Sequence, residues 1–326
     1  MKVVLLEGLG VSDQVIQQHA RKLEAMGHTF VAYPKNADPQ VQAEQSRDAD
    51  VIMLANMPLS PAVLEEAKSL KFIDVAFTGV DHIPMAEAKR LGIAVSNASG
   101  YATQAVAELC VSFMIQLLRN VGKTEERCRS GGTKDGLVGN LLCGKTVGIV
   151  GAGAIGKKVA ALVSAFGANV IYYDIIRMTE QEEQYGYRFV DMDTLLSESD
   201  IFTIHCPLNE TTRGLIGERE FARMKPSCML INTARGPIVD EDALVHALTT
   251  GKIATAGLDT YEKEPLPKDH PLLTLDNVVA SAHAGGNTRD NHINMVNYVY
   301  SNIVKFDRGL PLNTEQDIVN GEYLKK

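Results

Sequence analysis

The run GKTVGIVGAGAIGKKVA, residues 144–160, decides the fold. Its first half, KTVGIV (145–150), is the short apolar run of a strand buried on both faces. From Ala154 to Phe166 the apolar residues fall at helical spacing. Between the two lies Gly151-Ala-Gly153-Ala-Ile-Gly156. A GxGxxG is weak evidence alone, but strand, tight turn and helix together supply the context it needs. Gly151 makes the turn, Gly153 lets backbone approach a pyrophosphate, and Gly156 lets the helix pack closely on the strand. The helix N-terminus offers free N–H groups and the positive end of its dipole to the phosphates. The next predicted strand, ANVIYYD (168–174), ends in Asp174, 18 residues past Gly156. A carboxylate there hydrogen-bonds the adenosine ribose and repels a 2′-phosphate, which predicts NAD over NADP. Arg177 is the one dissent, because it meets such a phosphate if its loop folds back.

The same strand–helix rhythm extends both ways. Upstream, KVVLL (2–6), ADVIML (49–54), KFIDVAF (71–77) and GIAVSN (92–97) read as buried strands, with helical patterns at 13–26, from Ser60-Pro61, and at 85–91. Downstream, SDIFTIH (199–205), SCMLINT (227–233), IATAGLD (253–259) and DNVVASAH (276–283) read as strands, with helices at 192–197, 220–224 and 240–249. Such alternation predicts α/β architecture with parallel sheets and right-handed crossovers. Residues 101–121 are apolar nearly all round, which predicts a helix buried between domains or subunits. Residues 123–140 are polar and Gly-rich and read as a loop. The last helical pattern, 288–306, follows the second series and suits a return to the first domain. The 326 residues then divide into a discontinuous domain, 1–98 plus 286–326, and a continuous one, 99–285.

Composition narrows the function classes. A net charge of −8 leaves no basic face for nucleic acid or an anionic membrane. No run approaches the roughly 20 apolar residues that cross a bilayer, and the N-terminal MKVVLLEGLGVSD reads as a strand and not a signal peptide. Cys110, Cys128, Cys143, Cys206 and Cys228 form no CxxC and fit no zinc spacing. They read as reduced thiols of a cytoplasmic protein, with no metal site.

Three segments end predicted strands with chemically capable residues: INTARGPIVD (231–240), GLDTYEKEPLP (257–267) and SAHAGGNT (281–288). They carry Arg235, Glu264 and His283. In open parallel sheets, ligands bind outside the carboxyl ends of the strands. Reduction of a 2-oxo acid needs a two-pronged cation for the substrate carboxylate, which Arg supplies. It needs an acid for the developing alkoxide, which His supplies. A carboxylate that orients that His completes the set. Singly, each residue type at a strand end is more often bland than functional.

Together the segments resemble the D-isomer-specific 2-hydroxy-acid dehydrogenase family over nearly the whole chain. The matching motifs are GKTVGIVGAGAIGKKVA, HCPLNETTRGLI, MLINTARGPIVDEDAL, AGLDTYEKEPLP and SAHAGGNT, in the family's order. The resemblance implies two doubly wound, Rossmann-like domains, with the NAD domain inserted into the substrate domain, and a homodimer. It implies that Arg235 binds and polarises the substrate and that His283 is the acid/base, with Glu264 as its partner. Cofactor contacts carry over to Gly151, Gly153, Ala154, Ile155, Gly156, Asp174, His205, Cys206, Pro207, Thr212, Thr233, Ala234, Arg235, Asp259, His283 and Thr103. Substrate contacts carry over to Phe77, Thr78, Gly79, Tyr101 and Arg235. The chain departs from the common pattern at Phe77 or Thr78, where many members have glycine, at Ser99, and at Ala282, where many have proline. The first two departures leave the choice of acid open. An alternative is phosphoglycerate dehydrogenase, but no Arg or Lys for a phosphate stands in 76–81 or 99–104, and no regulatory domain follows the last helix. A second alternative, an NAD-sensing corepressor on the same fold, is disfavoured by the intact Arg235, Glu264 and His283.

Overall fold

A computed structural model of the chain describes residues 1–310. It divides into two α/β units: Met1–Ala102 with the chain from Asn287 onwards, and Thr103–Gly286. Each unit is built on one parallel sheet, so the fold class agrees with the sequence reading.

The first unit holds β1 (Lys2–Leu5), β2 (Thr29–Ala32), β3 (Val51–Leu54), β4 (Phe72–Val75) and β5 (Ala94–Asn97), in the order β2-β1-β3-β4-β5. β3, β4 and β5 are buried at every residue; β3 is apolar throughout, whereas β4 carries Asp74 and β5 carries Ser96 and Asn97. The sequence pattern does not reveal β2. It is an edge strand, Thr-Phe-Val-Ala, with no fully buried residue, and its short apolar run stands outside the strands the sequence pattern singles out. The helix Arg289–Asp307 packs Met295, Val296, Val299 and Ile303 into the core of this unit, and Phe306 stacks on Phe72 at 4.4 Å. A polar tie locks that packing. Asn302 Nδ2 donates to Ser96 Oγ at 2.8 Å and to Asp74 Oδ1 at 3.2 Å, and Ser96 Oγ donates to Asp74 Oδ1 at 3.0 Å. The unit runs to Ala102 and not to 98. The reason is hydrogen bonding: Ala98 N–H donates to the Val75 and Phe77 carbonyls and Tyr101 N–H to that of Ala98, which ties 98–101 to the end of β4.

The second unit holds β6 (Thr146–Val150), β7 (Asn169–Tyr173), β8 (Arg188–Phe189), β9 (Ile201–Ile204), β10 (Met229–Asn232), β11 (Thr255–Leu258) and β12 (Val278–Ala280). Their order is β12-β11-β10-β9-β6-β7-β8, all parallel. The chain leaves β6 towards β7 and β8, then returns to the other side of β6 with β9. That reversal is the switch point at which ligands bind in such sheets. The helix Thr103–Leu118 buries Ala107, Cys110 and Met114 in the same cluster as Val159 and Val163 of the helix Ala154–Ala165. Its apolar character is thus accounted for inside its own unit. Residues 121–129, which the sequence pattern places largely in a loop, are helical (Val121–Arg129). The sequence hides this because no residue of that helix is buried, and the Glu125–Arg129 pair supports it from outside. Among the described residues no single helix is long and apolar enough to cross a membrane.

Substituting Asn302→Ala is expected to leave the Asp74–Ser96 pair short of a donor in the core. A loss of about 1–3 kcal/mol is expected, read by calorimetry as a lowered thermal midpoint. An unchanged midpoint would show that the tie adds nothing.

Candidate active site

The glycine loop sits where β6 meets β9. Gly151 has φ +89°, and a Cβ there would collide with the backbone of His205 and Cys206 as the chain leaves β9. A Cβ on Gly156 would collide with the Gly151 carbonyl. A Cβ on Gly153 would meet nothing within 4 Å, so the approach to the loop backbone is open there. Ala154 and Ile155 begin the helix behind the loop. Asp174, just past β7, accepts from Ala152 N–H of the loop and from Ile176 N–H at 3.0 Å. Its carboxylate is therefore tied to the turn whose phosphate-binding shape the sequence predicted.

The neighbouring strand ends complete this rim. Thr203 Oγ1 lies 2.9 Å from His205 Nε2. Desolvation pushes His205 down to about 3, so its ring is neutral at physiological pH. Thr212 Oγ1 donates to Pro207 O at 2.6 Å and closes the loop after β9 upon itself. Thr233, at the end of β10, is buried, and its Oγ1 has no hydrogen-bond partner among the described residues. That orphaned hydroxyl and the open space at Gly153 fit a polar ligand lying along the carboxyl ends of the strands. Thr103 begins the helix Thr103–Leu118 of the same unit.

Arg235, Glu264 and His283 come together in the second unit. Asn232 shapes the first turn: its amide donates to Arg235 O at 3.0 Å and its Oδ1 accepts Ala234 N–H at 3.0 Å. Gly236 then packs backbone to backbone on the Tyr261–Glu262 peptide, where any Cβ would collide. That contact sets the Arg235 turn against the loop that carries Glu264. Tyr261 pins the same loop, its hydroxyl lying 3.1 Å from Leu258 O and 2.9 Å from Ser281 O. Its N–H donates to Glu264 Oε1 at 3.1 Å. The other carboxylate oxygen, Oε2, is 2.7 Å from His283 Nδ1.

His283 has φ +51°, uncommon for a residue with a side chain. Asp259 holds that turn. Its buried carboxylate accepts from Ser281 Oγ, from Ala284 N–H at 2.7 Å and from Gly285 N–H at 2.8 Å. The sequence assigns Asp259 to the cofactor alone, and misses Asn232, Gly236, Tyr261 and Ser281. Their signal is the spacing of small polar residues beside a strand end, which many structural turns share.

Burial pushes the Glu264 carboxyl up, but the hydrogen bond and charge of His283, the Tyr261 N–H and the Arg235 charge outweigh it and hold it below the usual range. Glu264 is therefore ionised at neutral pH. Burial pushes the Cys110 thiol up to about 12 and Cys206 to about 11, so neither supplies a thiolate. Among the described residues no group of three or more His, Cys, Asp or Glu side chains is placed to hold a metal ion. Phe77, Thr78, Gly79 and Tyr101 belong to the first unit. There the Asn97 amide donates to Thr78 O at 2.7 Å, and the Phe77 and Tyr101 rings stand 6.5 Å apart.

A parallel sheet with a glycine loop at its switch point, and an Arg, a Glu and a His at adjoining strand ends, defines a dinucleotide-dependent oxidoreductase. Comparison with known proteins agrees. Residues 111–285 match the family model of the D-isomer specific 2-hydroxyacid dehydrogenase NAD binding domain. Glyoxylate reductase of Korarchaeum cryptofilum is 37% identical over 293 residues, 88% of this chain and 87% of that protein. Hydroxypyruvate reductase of Blautia hydrogenotrophica is 30% identical over 322 residues, 96% of this chain and 99% of that protein. The crystal structure of a glyoxylate reductase from Paecilomyes thermophila superposes with a TM-score of 0.89 at 30% identity, covering 99% of each chain. The chain belongs to the D-isomer-specific 2-hydroxyacid dehydrogenases. It is an NAD-dependent enzyme that interconverts 2-oxo and 2-hydroxy acids.

The depressed Glu264 carboxyl has a consequence for stability. Because the folded value lies below the unfolded one, ionised Glu264 favours the folded state above the unfolded value, and the gain is lost as pH falls through the folded one. The difference in thermal midpoint between the parent and Glu264→Gln is expected to shrink from pH 7 towards pH 3. A pH-independent difference would show that His283 and Tyr261 do not hold the carboxylate.

Proposed function

We propose that Arg235 binds the carboxylate of a small 2-oxo acid and polarises its carbonyl, and that His283, oriented by Glu264, donates the proton that completes reduction. The observation that carries this reading is the 2.7 Å contact between His283 Nδ1 and Glu264 Oε2, with Arg235 close enough to lower the Glu264 carboxyl. A carboxylate on Nδ1 keeps a proton there and leaves Nε2 as the nitrogen that exchanges one with substrate. The guanidinium supplies a planar pair of donors, the geometry a carboxylate accepts best. As negative charge develops on the substrate oxygen, Arg235 stabilises it and His283 neutralises it. The cofactor, when bound, supplies or accepts the hydride at the substrate carbon. Gly151, Gly153, Ala154, Ile155 and Gly156 would hold its pyrophosphate and Asp174 its adenosine ribose. His205, Cys206, Pro207, Thr212, Thr233, Ala234, Asp259 and Thr103 would line its path. Phe77, Thr78, Gly79 and Tyr101 are assigned to substrate recognition on the resemblance of their segments.

The same reading extends to assembly and location. A homodimer is supported by Val138 and Leu141, 87% and 68% exposed on the segment after the helix Val121–Arg129. Five free cysteines support a reducing, cytoplasmic setting. Light scattering after gel filtration tests the first, and a single monomer mass would refute it.

The reaction is tested by NADH oxidation against a panel of 2-oxo acids, led by glyoxylate, hydroxypyruvate and pyruvate, with 3-phosphoglycerate oxidation alongside. Turnover of at least one unphosphorylated acid is expected. His283→Gln is expected to lower kcat by about 10²–10⁴-fold with NADH affinity retained. Glu264→Gln is expected to lower it in the same direction by less. Failure of every 2-oxo acid, or full activity of His283→Gln, would overturn the assignment.

A further inference from the structure

Arg177 stands three residues beyond Asp174 and is the only cation in the loop 174–178. Its guanidinium is 59% exposed, yet it is committed. Nε lies 2.9 Å from Glu182 Oε1 and Nη2 lies 2.7 Å from Glu182 Oε2, a two-pronged ion pair. Its Cζ lies 5.6 Å from the centre of the Phe189 ring. Glu182 is only 14% exposed and has a second anchor. Tyr172, fully buried near the carboxyl end of β7, donates its hydroxyl to Glu182 Oε1 at 2.6 Å and accepts Met178 N–H at 2.7 Å. The acid is thereby tied to the core strand and, through the same hydroxyl, to the backbone of the loop. Arg177 first, and then Tyr172, hold the Glu182 carboxyl down to about 2, so the pair stays charged across the physiological range.

A simple surface pair would be a weak feature. This one occupies the single cation that stands beside the acid expected to choose between NAD and NADP. Specificity is a difference of affinities, and withholding a favourable contact from the wrong ligand raises it as surely as adding one for the right ligand.

We propose that Glu182 is a specificity-determining residue for the dinucleotide: by holding Arg177 in a two-pronged ion pair, it withholds from a 2′-phosphate the one cation of the 174–178 loop. Asp174 then meets the adenosine ribose without a competing positive charge. The inference rests on the assignment of Asp174 to the ribose, and its test separates the two. The competing reading is that the pair only staples the helix Thr179–Tyr185 to β7.

Binding, and not turnover, is the readout. NADH and NADPH are titrated by their own fluorescence, and 2′-AMP and 5′-AMP by calorimetry. The proteins are the parent, Asp174→Ser, Asp174→Ser with Glu182→Gln, and that pair with Arg177→Ala added. Asp174→Ser is expected to weaken NADH, and unchanged NADH affinity would refute the ribose assignment itself. Adding Glu182→Gln is expected to tighten NADPH and 2′-AMP by about tenfold over Asp174→Ser alone, with 5′-AMP unmoved, as a freed guanidinium on a phosphate would give. Arg177→Ala is expected to abolish that gain, and added salt to reduce it. No gain from Glu182→Gln, a gain that survives Arg177→Ala, or parallel losses for both dinucleotides would overturn the proposal. If Glu182→Gln does not fold, Asp174→Ser with Arg177→Ala decides instead. A withheld arginine predicts unchanged NADPH affinity relative to Asp174→Ser, and a fall of about tenfold would show that Arg177 already serves the phosphate.

Discussion

One buried carboxylate fixes the geometry on which the acid/base reading depends. Asp259 is 1% exposed at the end of β11, where an unsatisfied charge would be costly. All three of its side-chain donors, Ser281 Oγ, Ala284 N–H and Gly285 N–H, come from the segment around His283. The turn so held bends His283 into a positive φ, a conformation that persists only where the surroundings over-determine it. In that conformation Nδ1 reaches Glu264 at 2.7 Å. Asp259 thus acts on the imidazole through the backbone turn and so sets the ring nitrogen that meets Glu264.

The second constraint is close backbone approach. At Gly236 the Arg235 turn lies directly on the Tyr261–Glu262 peptide, and at Gly151 the dinucleotide loop lies directly on the chain leaving β9. Neither position tolerates a Cβ. Tyr261 reinforces the first contact by pinning its loop to the ends of β11 and β12. The glycine loop, Arg235, Glu264 and His283 all belong to one unit and one sheet. The spacing between the glycine loop and His283 is therefore set by strand packing and not by a flexible connection.

Charge around the loop after β7 is likewise held by local partners. Asp174 bonds back to the glycine loop through Ala152 N–H, and Arg177 bonds forward to Glu182. The two opposite charges stand three residues apart in sequence but take different partners. Arg177, which argued against NAD in the sequence, has its guanidinium neutralised by Glu182.

The sequence by itself determined the two-sheet architecture and the family, and it singled out the glycine loop with Asp174, and Arg235, Glu264 and His283, as the candidate site. It could do so because buried parallel strands are predominantly apolar and because Gly151 and Gly156 occupy positions no other residue can take. It missed the edge strand β2, and the helices Val121–Arg129 and Thr179–Tyr185, which bury no residue and leave no helical apolar period to read. Only the tertiary structure decided that Asp259 organises the His283 turn, that Asn232, Gly236 and Tyr261 bring Arg235 to the Glu264 loop, and that Glu182 engages Arg177. These are hydrogen bonds and backbone contacts between segments whose polar residues look alike in sequence. Their roles depend on which partner the fold places within about 3 Å, a quantity that residue type does not encode.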